Sequence, residues 1–542
     1  MTHSTALRPI GQWLASTPPV FSPDDIAAAT QRTREPAQVV RDPESGHMGL
    51  AGGGQLVPQL EPRTDGAYEL MASLPALYPE WLGDRTFQEA HGVRFPYVAG
   101  AMANGIATPH MVIEMGRAGM LGIYGAAGLS PERVERGIET IRAELEADGL
   151  AWGVNLIHSP NEPQLESELV DLFLRTGVRC VSASAFMKLT RPLVRYACSG
   201  LTTGPDGRIH RPNQVLAKVS RVEVARHFMA PAPESMLRKL VERGDLTEYE
   251  ARLARQVPVA EDITAEADSG GHTDNRPMAA LLPAMAALRD KLTREHGYGR
   301  PVRIGAAGGL GTPNAVASAF SLGAAYVLTG SINQAAVESG LSTAGKEMLA
   351  DADTTDVAMA PSADMFEIGA KVQVLSRGTM FASRARKLDD YYRRLDSLDE
   401  LTDQERRDLE ERLLGDSIEA IWEKTRQFWE EADPAELERA QKNPRHKMAL
   451  LFRWYLGLSS HWAIGGVDER RFDYQIWCGP AMGAFNRWTQ GTFLAEPSNR
   501  RVAQIALNLL EGAAAITRAH QLRTYGLPVP AQAFDFRPRP LQ

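Results

Sequence analysis

The chain has 542 residues, 44% hydrophobic and 23% charged, which is near the globular average and excludes a disordered, collagenous or membrane class for its bulk. With 59 Lys and Arg against 67 Asp and Glu the net charge is -8, so there is no global attraction to nucleic acid or anionic lipid. The length calls for one enlarged domain with an accessory region, or for two domains.

The amino terminus, MTHSTALRPIGQWLASTPPVF, lacks a basic patch followed by an apolar run, and no stretch of about 18 uninterrupted apolar residues occurs, so no leader or membrane span is expected. Residues 1–85 are rich in Pro, Gly and Asp, including GHMGLAGGG from Gly46 to Gly54, and read as a loosely structured lead-in. From about Phe87 short apolar runs ending in small residues alternate with helical amphipathicity, the texture of repeated β-α units. Candidate strands fall at 97–101, 120–124, 152–157, 179–183, 215–219, 263–267, 302–306 and 326–329. Eight units in about 240 residues predict an α/β fold, a (β/α)8 TIM barrel over 86–390. Helix starts agree: Ser130-Pro-Glu opens one helix and Thr312-Pro opens another.

Between the fifth and sixth strands APAPESMLRKLVERGDLTEYEARLARQ predicts an inserted helix pair at about 230–260, expected to face the active site. Beyond Lys387 the pattern is continuously helical, and six of nine Trp lie past residue 420. A helical subdomain or lid is expected over 391–525 and a tail over 526–542, with Trp422, Phe428 and Trp429 read as helix packing.

Chemistry concentrates at the predicted carboxyl ends of the strands. VRIGAAGGLGTPNAVASAF ends a strand in Ala307, Gly308 and Gly309 ahead of a capped helix, which suits an anion because glycines permit close backbone approach and the helix start offers free N–H groups. In the next unit, LTGSINQA supplies Thr329, Gly330, Ser331 and Asn333, a second half of one phosphate site. Strand six leads into ADSGGHTDNRP, where Ser269, Gly270 and Gly271 precede His272, a loop histidine where barrels carry function. Lys218 ends strand five at the rim and needs an anionic partner, either a bound ligand or a carboxylate such as Glu266. Asn155 ends strand three with an amide able to donate and accept, and Ala101, Met102 and Ala103 end strand one as a flat apolar surface. The cysteines, Cys180, Cys198 and Cys478, form neither a disulfide framework nor a metal motif, so a reducing compartment and no metal are expected, and the cytoplasm is the default expectation where no leader or membrane span is read.

Together GAMANGIATP, GVNLIHSP, SASAFMKLT, AKVSR, ADSGGHTDNRP, GAAGGLGTP and LTGSINQA resemble the nitronate monooxygenase (2-nitropropane dioxygenase) superfamily of FMN barrels. More narrowly, ADSGGHTDNRP with DMFEIGAKVQVLSRGTMFASRARKL and DYQIWCGPAMGAFNRW resembles the PfaD family, the trans-acting enoyl reductases of polyketide and polyunsaturated fatty acid synthases. That resemblance implies FMN on the residues just named, NADPH as hydride donor, and an enoyl thioester on an acyl carrier protein as partner and substrate. In nitronate monooxygenases the histidine of the GGH motif acts in proton transfer, which makes His272 the leading proton donor, and Lys218 is expected to act as a second catalytic residue stabilising reduced flavin or the thioester oxyanion. Neither nucleic acid nor membrane is an expected partner, and a homodimer is left open. A nitronate monooxygenase acting on a small free substrate and a non-catalytic docking component remain the alternatives, whereas an IMP-dehydrogenase-like reading lacks the Cys it needs after strand six. Arg384, Arg386 and Lys387 are the candidates for a basic carrier-docking patch.

Overall fold

The computed structural model describes residues 8–57, 64–158 and 163–541. The seven residues at the amino terminus, and Ser159 and Pro160 of the GVNLIHSP motif, lie outside the described residues.

Eight parallel strands close into a barrel: Tyr97–Ala99, Leu121–Tyr124, Trp152–Ile157, Cys180–Ser184, Gln214–Val219, Asp262–Glu266, Arg303–Ala307 and Val327–Thr329. The eighth strand returns to the first through Val327↔Tyr97 and Leu328↔Val98, so no edge remains. Each expected strand is present within about two residues, because a parallel strand covered on both faces must be apolar along its length. Below the sheet, at the amino-terminal ends of strands six and seven, Arg303 Nε and the second guanidinium nitrogen donate to the Asp262 carboxylate at 2.6 and 2.7 Å. His91 Nε2 lies 3.0 Å from the same carboxylate, and this buried triad ties the preceding helix, Arg85–His91, to the barrel floor.

The described part of the lead-in, residues 8–57 and 64–85, is not loosely structured as expected. It holds a five-stranded antiparallel sheet in the order Met48–Ala51, Ala37–Arg41, Tyr68–Leu74, Gly11–Ala15, Gly54–Val57. Its apolar face, with Val39, Met71 and Leu74, packs on Ala519 and Leu522 of the carboxyl-terminal helix Val502–Thr524. That helix sends the buried Arg518 to the Pro75 carbonyl at 2.6 Å. The sheet is therefore covered by residues from the far end of the chain, which no local pattern can report.

The inserted helix pair exists, as Glu234–Glu242 and Glu248–Ala254, but it does not face the active site. It follows the crossover helix Val222–Met229 and packs against the outer helix Arg191–Cys198. The chain has by then turned back to the barrel floor, so an insertion placed there cannot reach the mouth.

Helices Ile418–Ala432, Pro434–Lys442 and Pro444–Gly465 build a second core around Ile421, Leu451, Phe452 and Tyr455, against Phe381 and Leu388 of helix Phe381–Arg394. Trp422 packs on this core with Lys447 4.9 Å from its ring, while Phe428 is exposed. Between barrel and helices lies a small sheet in which Gly271–His272 pairs antiparallel with Lys371–Leu375, and that strand with Val357–Pro361. No helix among the described residues is long and apolar enough to cross a membrane.

Candidate active site

A cavity of about 1130 Å³ opens at the carboxyl ends of the barrel strands. Ala101, Met102, Ala103, Asn155, Lys218, Ser269, Gly270, Gly271, His272, Ala307, Gly308, Gly309, Thr329, Gly330 and Ser331 all line it. Asn333 does not. The helix begins at Ser331, so the Asn333 side chain turns under the eighth strand, fully buried, and its Nδ2 donates to the Thr329 carbonyl and hydroxyl at 3.2 and 3.0 Å. It shapes the loop from below.

The seventh-strand loop runs through left-handed backbone, φ +88° at Gly308 and +73° at Gly309. A Cβ on Gly308 would stand 2.7 Å from backbone atoms of Ala267 and Asp268, so only glycine fits, whereas a Cβ on Gly309 would point into open space. The following helix, Pro313–Ser321, is capped by the Thr312 hydroxyl accepting from the Ala315 N–H at 3.3 Å. None of the N–H groups of Gly308, Gly309, Gly330 and Ser331 is spent on a hydrogen bond among the described residues. Unspent backbone donors on two adjacent loops suit a phosphate.

On the opposite wall, Lys218 Nζ bonds Glu266 Oε1 at 2.5 Å, and Ser269 Oγ donates to the same oxygen at 3.0 Å. The anionic partner expected for Lys218 is thus Glu266. Asn155, 4% exposed, spends both amide protons on the Ser182 carbonyl and the Ser184 hydroxyl at 2.9 and 3.2 Å, leaving Oδ1 as its acceptor. Arg221, at 2.8 Å, and Ser220 bond Asp274 and hold its carboxyl down at about 2.

His272 sits on the short strand beside the glycines, its Nε2 3.0 Å from Ser362 Oγ and 3.3 Å from Asp364 Oδ1. Burial works to raise the Asp364 carboxyl, but the hydrogen bond and charge of His272, with Ser362, prevail and hold it at about 2. Sequence reasoning does not single out Ser362 or Asp364, although DMFEIGAKVQV begins at Asp364.

The helical region covers the mouth. Leu456, Gly457, Ser460 and His461 of helix Pro444–Gly465 line the cavity, with Gln475, Trp477, Gly479 and Ala481 beyond it. Burial pulls His461 below the usual imidazole range, with Arg133 nearby adding to it. The Gly479 N–H donates to Ser331 Oγ at 3.1 Å, and a Cβ on Gly270 would stand 2.8 Å from the Cys478 nitrogen, so this segment rests directly on two of the cavity loops. Arg384 is paired with Asp473, Lys387 with Asp408 at 3.1 Å, and Arg386 donates to the Ala382 carbonyl, so the expected docking run is engaged within the chain.

Residues 85–372 match nitronate monooxygenase as a family, and residues 395–474 match the inserted helical domain of acyl-carrier-protein S-malonyltransferase. The chain belongs to the nitronate monooxygenase family. Among solved structures it is similar to the enoyl reductase domain of MlnA from the macrolactin biosynthesis cluster of Bacillus amyloliquefaciens, with 39% identity and a TM-score of 0.79, covering 82% of this chain and 99% of that one. A polyunsaturated fatty acid synthase polypeptide of Thraustochytrium is 46% identical over 82% of this chain and 30% of its own length. The polyketide biosynthesis protein PksE of Bacillus subtilis is 44% identical over 82% of this chain and 58% of its own. The chain therefore spans between 30% and 58% of those two relatives, each of which carries further sequence.

Proposed function

We propose that this chain is an FMN-dependent enoyl reductase that acts in trans in polyketide or polyunsaturated fatty acid biosynthesis, reducing the α,β double bond of an enoyl thioester on an acyl carrier protein with NADPH as hydride donor. One observation carries the reading: unspent N–H groups on two neighbouring loops and an oriented histidine line one cavity under a helical cover, in a chain 39% identical to the MlnA enoyl reductase domain.

The residues fit the cofactor. Gly308, Gly309, Gly330 and Ser331 would receive the phosphate of FMN, while Ala307 and Thr329 frame that end, since glycine at 308 is enforced by the neighbouring backbone and Gly309 leaves its space clear. Ala101, Met102 and Ala103 would support the ring, and Asn155 Oδ1 would accept from its polar edge, with Ser269, Gly270 and Gly271 on the other side. Bound FMN would supply the hydride relay between the nicotinamide and the β-carbon of the thioester. Lys218, held by Glu266, would place positive charge near the developing negative charge. With Nε2 facing Ser362 and Asp364, His272 has Nδ1 left to deliver a proton to the α-carbon. Helix Pro444–Gly465 and the 475–481 segment would exclude water and guide a tethered acyl chain.

The test is a visible spectrum followed by anaerobic NADPH and then an enoyl pantetheine or carrier-protein thioester. Bleaching by NADPH and return of colour with the thioester support the reading. Bleaching without return, with turnover of a nitronate under oxygen, would replace it by a nitronate monooxygenase. A protein that takes up no flavin would leave only a docking role.

A further inference from the structure

The geometry points to Asp364, with Ser362, as a positioning pair that fixes the ring of His272 and so ties proton delivery to the helical region. This rests on the enoyl reductase reading above.

The hydrogen-bond roles follow from donor counting. Asp364 is an acceptor only, so the short Ser362–Asp364 contact uses the Ser362 hydroxyl proton. The Ser362 oxygen must then accept from His272, which requires a proton on Nε2. Asp364 Oδ1, 3.3 Å from Nε2, reinforces that state. Nδ1 has no hydrogen-bond partner among the described residues and is the ring nitrogen left for the cavity. Delivery from Nδ1 therefore draws on the doubly protonated ring: Nδ1 gives its proton to the α-carbon, the Nε2 proton stays bonded to Ser362 and Asp364, and the ring is left as the neutral Nε2–H tautomer.

Ser362 and Asp364 do not belong to the barrel. They lie on the hairpin joining Val357–Pro361 to Lys371–Leu375, and two features fasten that hairpin to the helices. Phe366 is 2% exposed against the rings of Tyr392 and Phe452 at 5.0 and 6.2 Å. Glu367 accepts from His446 Nδ1 at 2.8 Å, and His446 belongs to helix Pro444–Gly465. On the barrel side Gln373 Nε2 donates to Asp268 Oδ1 and the Ser269 carbonyl, both at 2.8 Å, locking the strand to the loop that carries His272. The hairpin is thus held at both ends, and the group between them is the histidine.

The experiment compares Asp364→Asn, Asp364→Glu, His272→Ala and the Asp364→Asn/His272→Ala double variant. In stopped flow, Asp364→Asn should slow flavin reoxidation by the enoyl thioester about 10²-fold and leave reduction by NADPH within about twofold, with partial recovery in Asp364→Glu. In the His272→Ala background Asp364→Asn should add less than about twofold, because an effect routed through a missing ring vanishes. The ¹⁵N shifts of the His272 ring, assigned by their loss in His272→Ala, should report a proton on Nε2 that Asp364→Asn releases. A full penalty in the His272→Ala background, or an unchanged ring tautomer in Asp364→Asn, overturns the inference. Absence of thioester reduction in the unaltered protein would instead remove the functional reading, and the ring shifts would still decide whether Asp364 holds the Nε2 proton.

Discussion

Lys218 Nζ and Glu266 Oε1 stand 2.5 Å apart, one on strand five and one on strand six, closing a charge pair across adjacent strands at the mouth of the barrel. The side chains are 25% and 11% exposed, so water compensates only part of either charge. Removing one partner leaves the other half-desolvated, whereas removing both leaves neither. Lys218→Met should therefore destabilise by roughly 1–3 kcal/mol. The Lys218→Met/Glu266→Gln double variant should recover much of that loss. Urea denaturation of the four proteins in the cycle measures the coupling, and simple additivity would show that the pair contributes nothing.

Gly308 and Gly309 are neighbours with opposite reasons for being glycine. Both have positive φ, but a Cβ on Gly308 strikes the backbone of Ala267 and Asp268, and one on Gly309 meets nothing within 4 Å. Gly308→Ala should lower the melting temperature and abolish flavin retention together. Gly309→Ala should cost about 1 kcal/mol of stability from left-handed strain, yet weaken FMN binding at least about tenfold by filling the phosphate space. Melting curves and flavin titration separate the two, and an unchanged FMN affinity in Gly309→Ala would place the phosphate elsewhere.

The buried floor of the barrel predicts an acid limit. Burial alone would raise the Asp262 carboxyl, but His91 and Arg303 outweigh it and hold it at about 2, below its ordinary 3.8. Between those values the unfolded chain binds the proton and the folded chain does not. The stability Asp262 contributes is therefore present above about pH 4 and lost as pH falls toward 2. Asp262→Asn should destabilise by about 3–5 kcal/mol at neutral pH by stranding Arg303. Its unfolding free energy should fall less steeply than that of the unaltered protein between pH 4 and 2, and parallel acid titrations would contradict the assignment.

The barrel is legible in the sequence because each strand has to be apolar and each ends in small or polar residues facing one cavity. The phosphate loops are legible for a related reason, since the left-handed turn at Gly308 and Gly309 and the Thr312 cap are local features that any sequence window contains. What escapes depends on long-range pairing. His272 stands out in its glycine-rich loop, but its partners Ser362 and Asp364 arrive from about 90 residues on, through a strand pairing set by Val372 and Gln373. Spacing alone places Asn333 at the site, although a helix starting at Ser331 turns its side chain beneath the strand. The helix pair goes to the face opposite the one expected because its order after the crossover helix, rather than its composition, decides which end of the barrel it reaches.

The contact between Gly270 and Cys478 allows the cover to be tested apart from the phosphate loops. Gly270 has no positive φ, so alanine there meets no backbone strain, and its penalty comes from a Cβ within 2.8–3.0 Å of the Cys478 backbone. The reciprocal contact is as close, since a Cβ on Gly479 would stand 2.9 Å from the Gly270 nitrogen and 3.0 Å from the Ser269 carbonyl carbon. Either substitution must wedge the 475–481 segment away from the loop that carries His272, while Gly308 and Gly309 are untouched. With the phosphate loops intact, Gly270→Ala and Gly479→Ala should each weaken FMN binding less than Gly309→Ala does and lower the rate of thioester reduction by about tenfold or more, with a rise in solvent access to the flavin. Because both wedge the same interface, the double variant should be little worse than either single one. Additive losses, or loss of FMN from Gly270→Ala alone, would mean that the segment acts on the cofactor site rather than as a cover over the histidine.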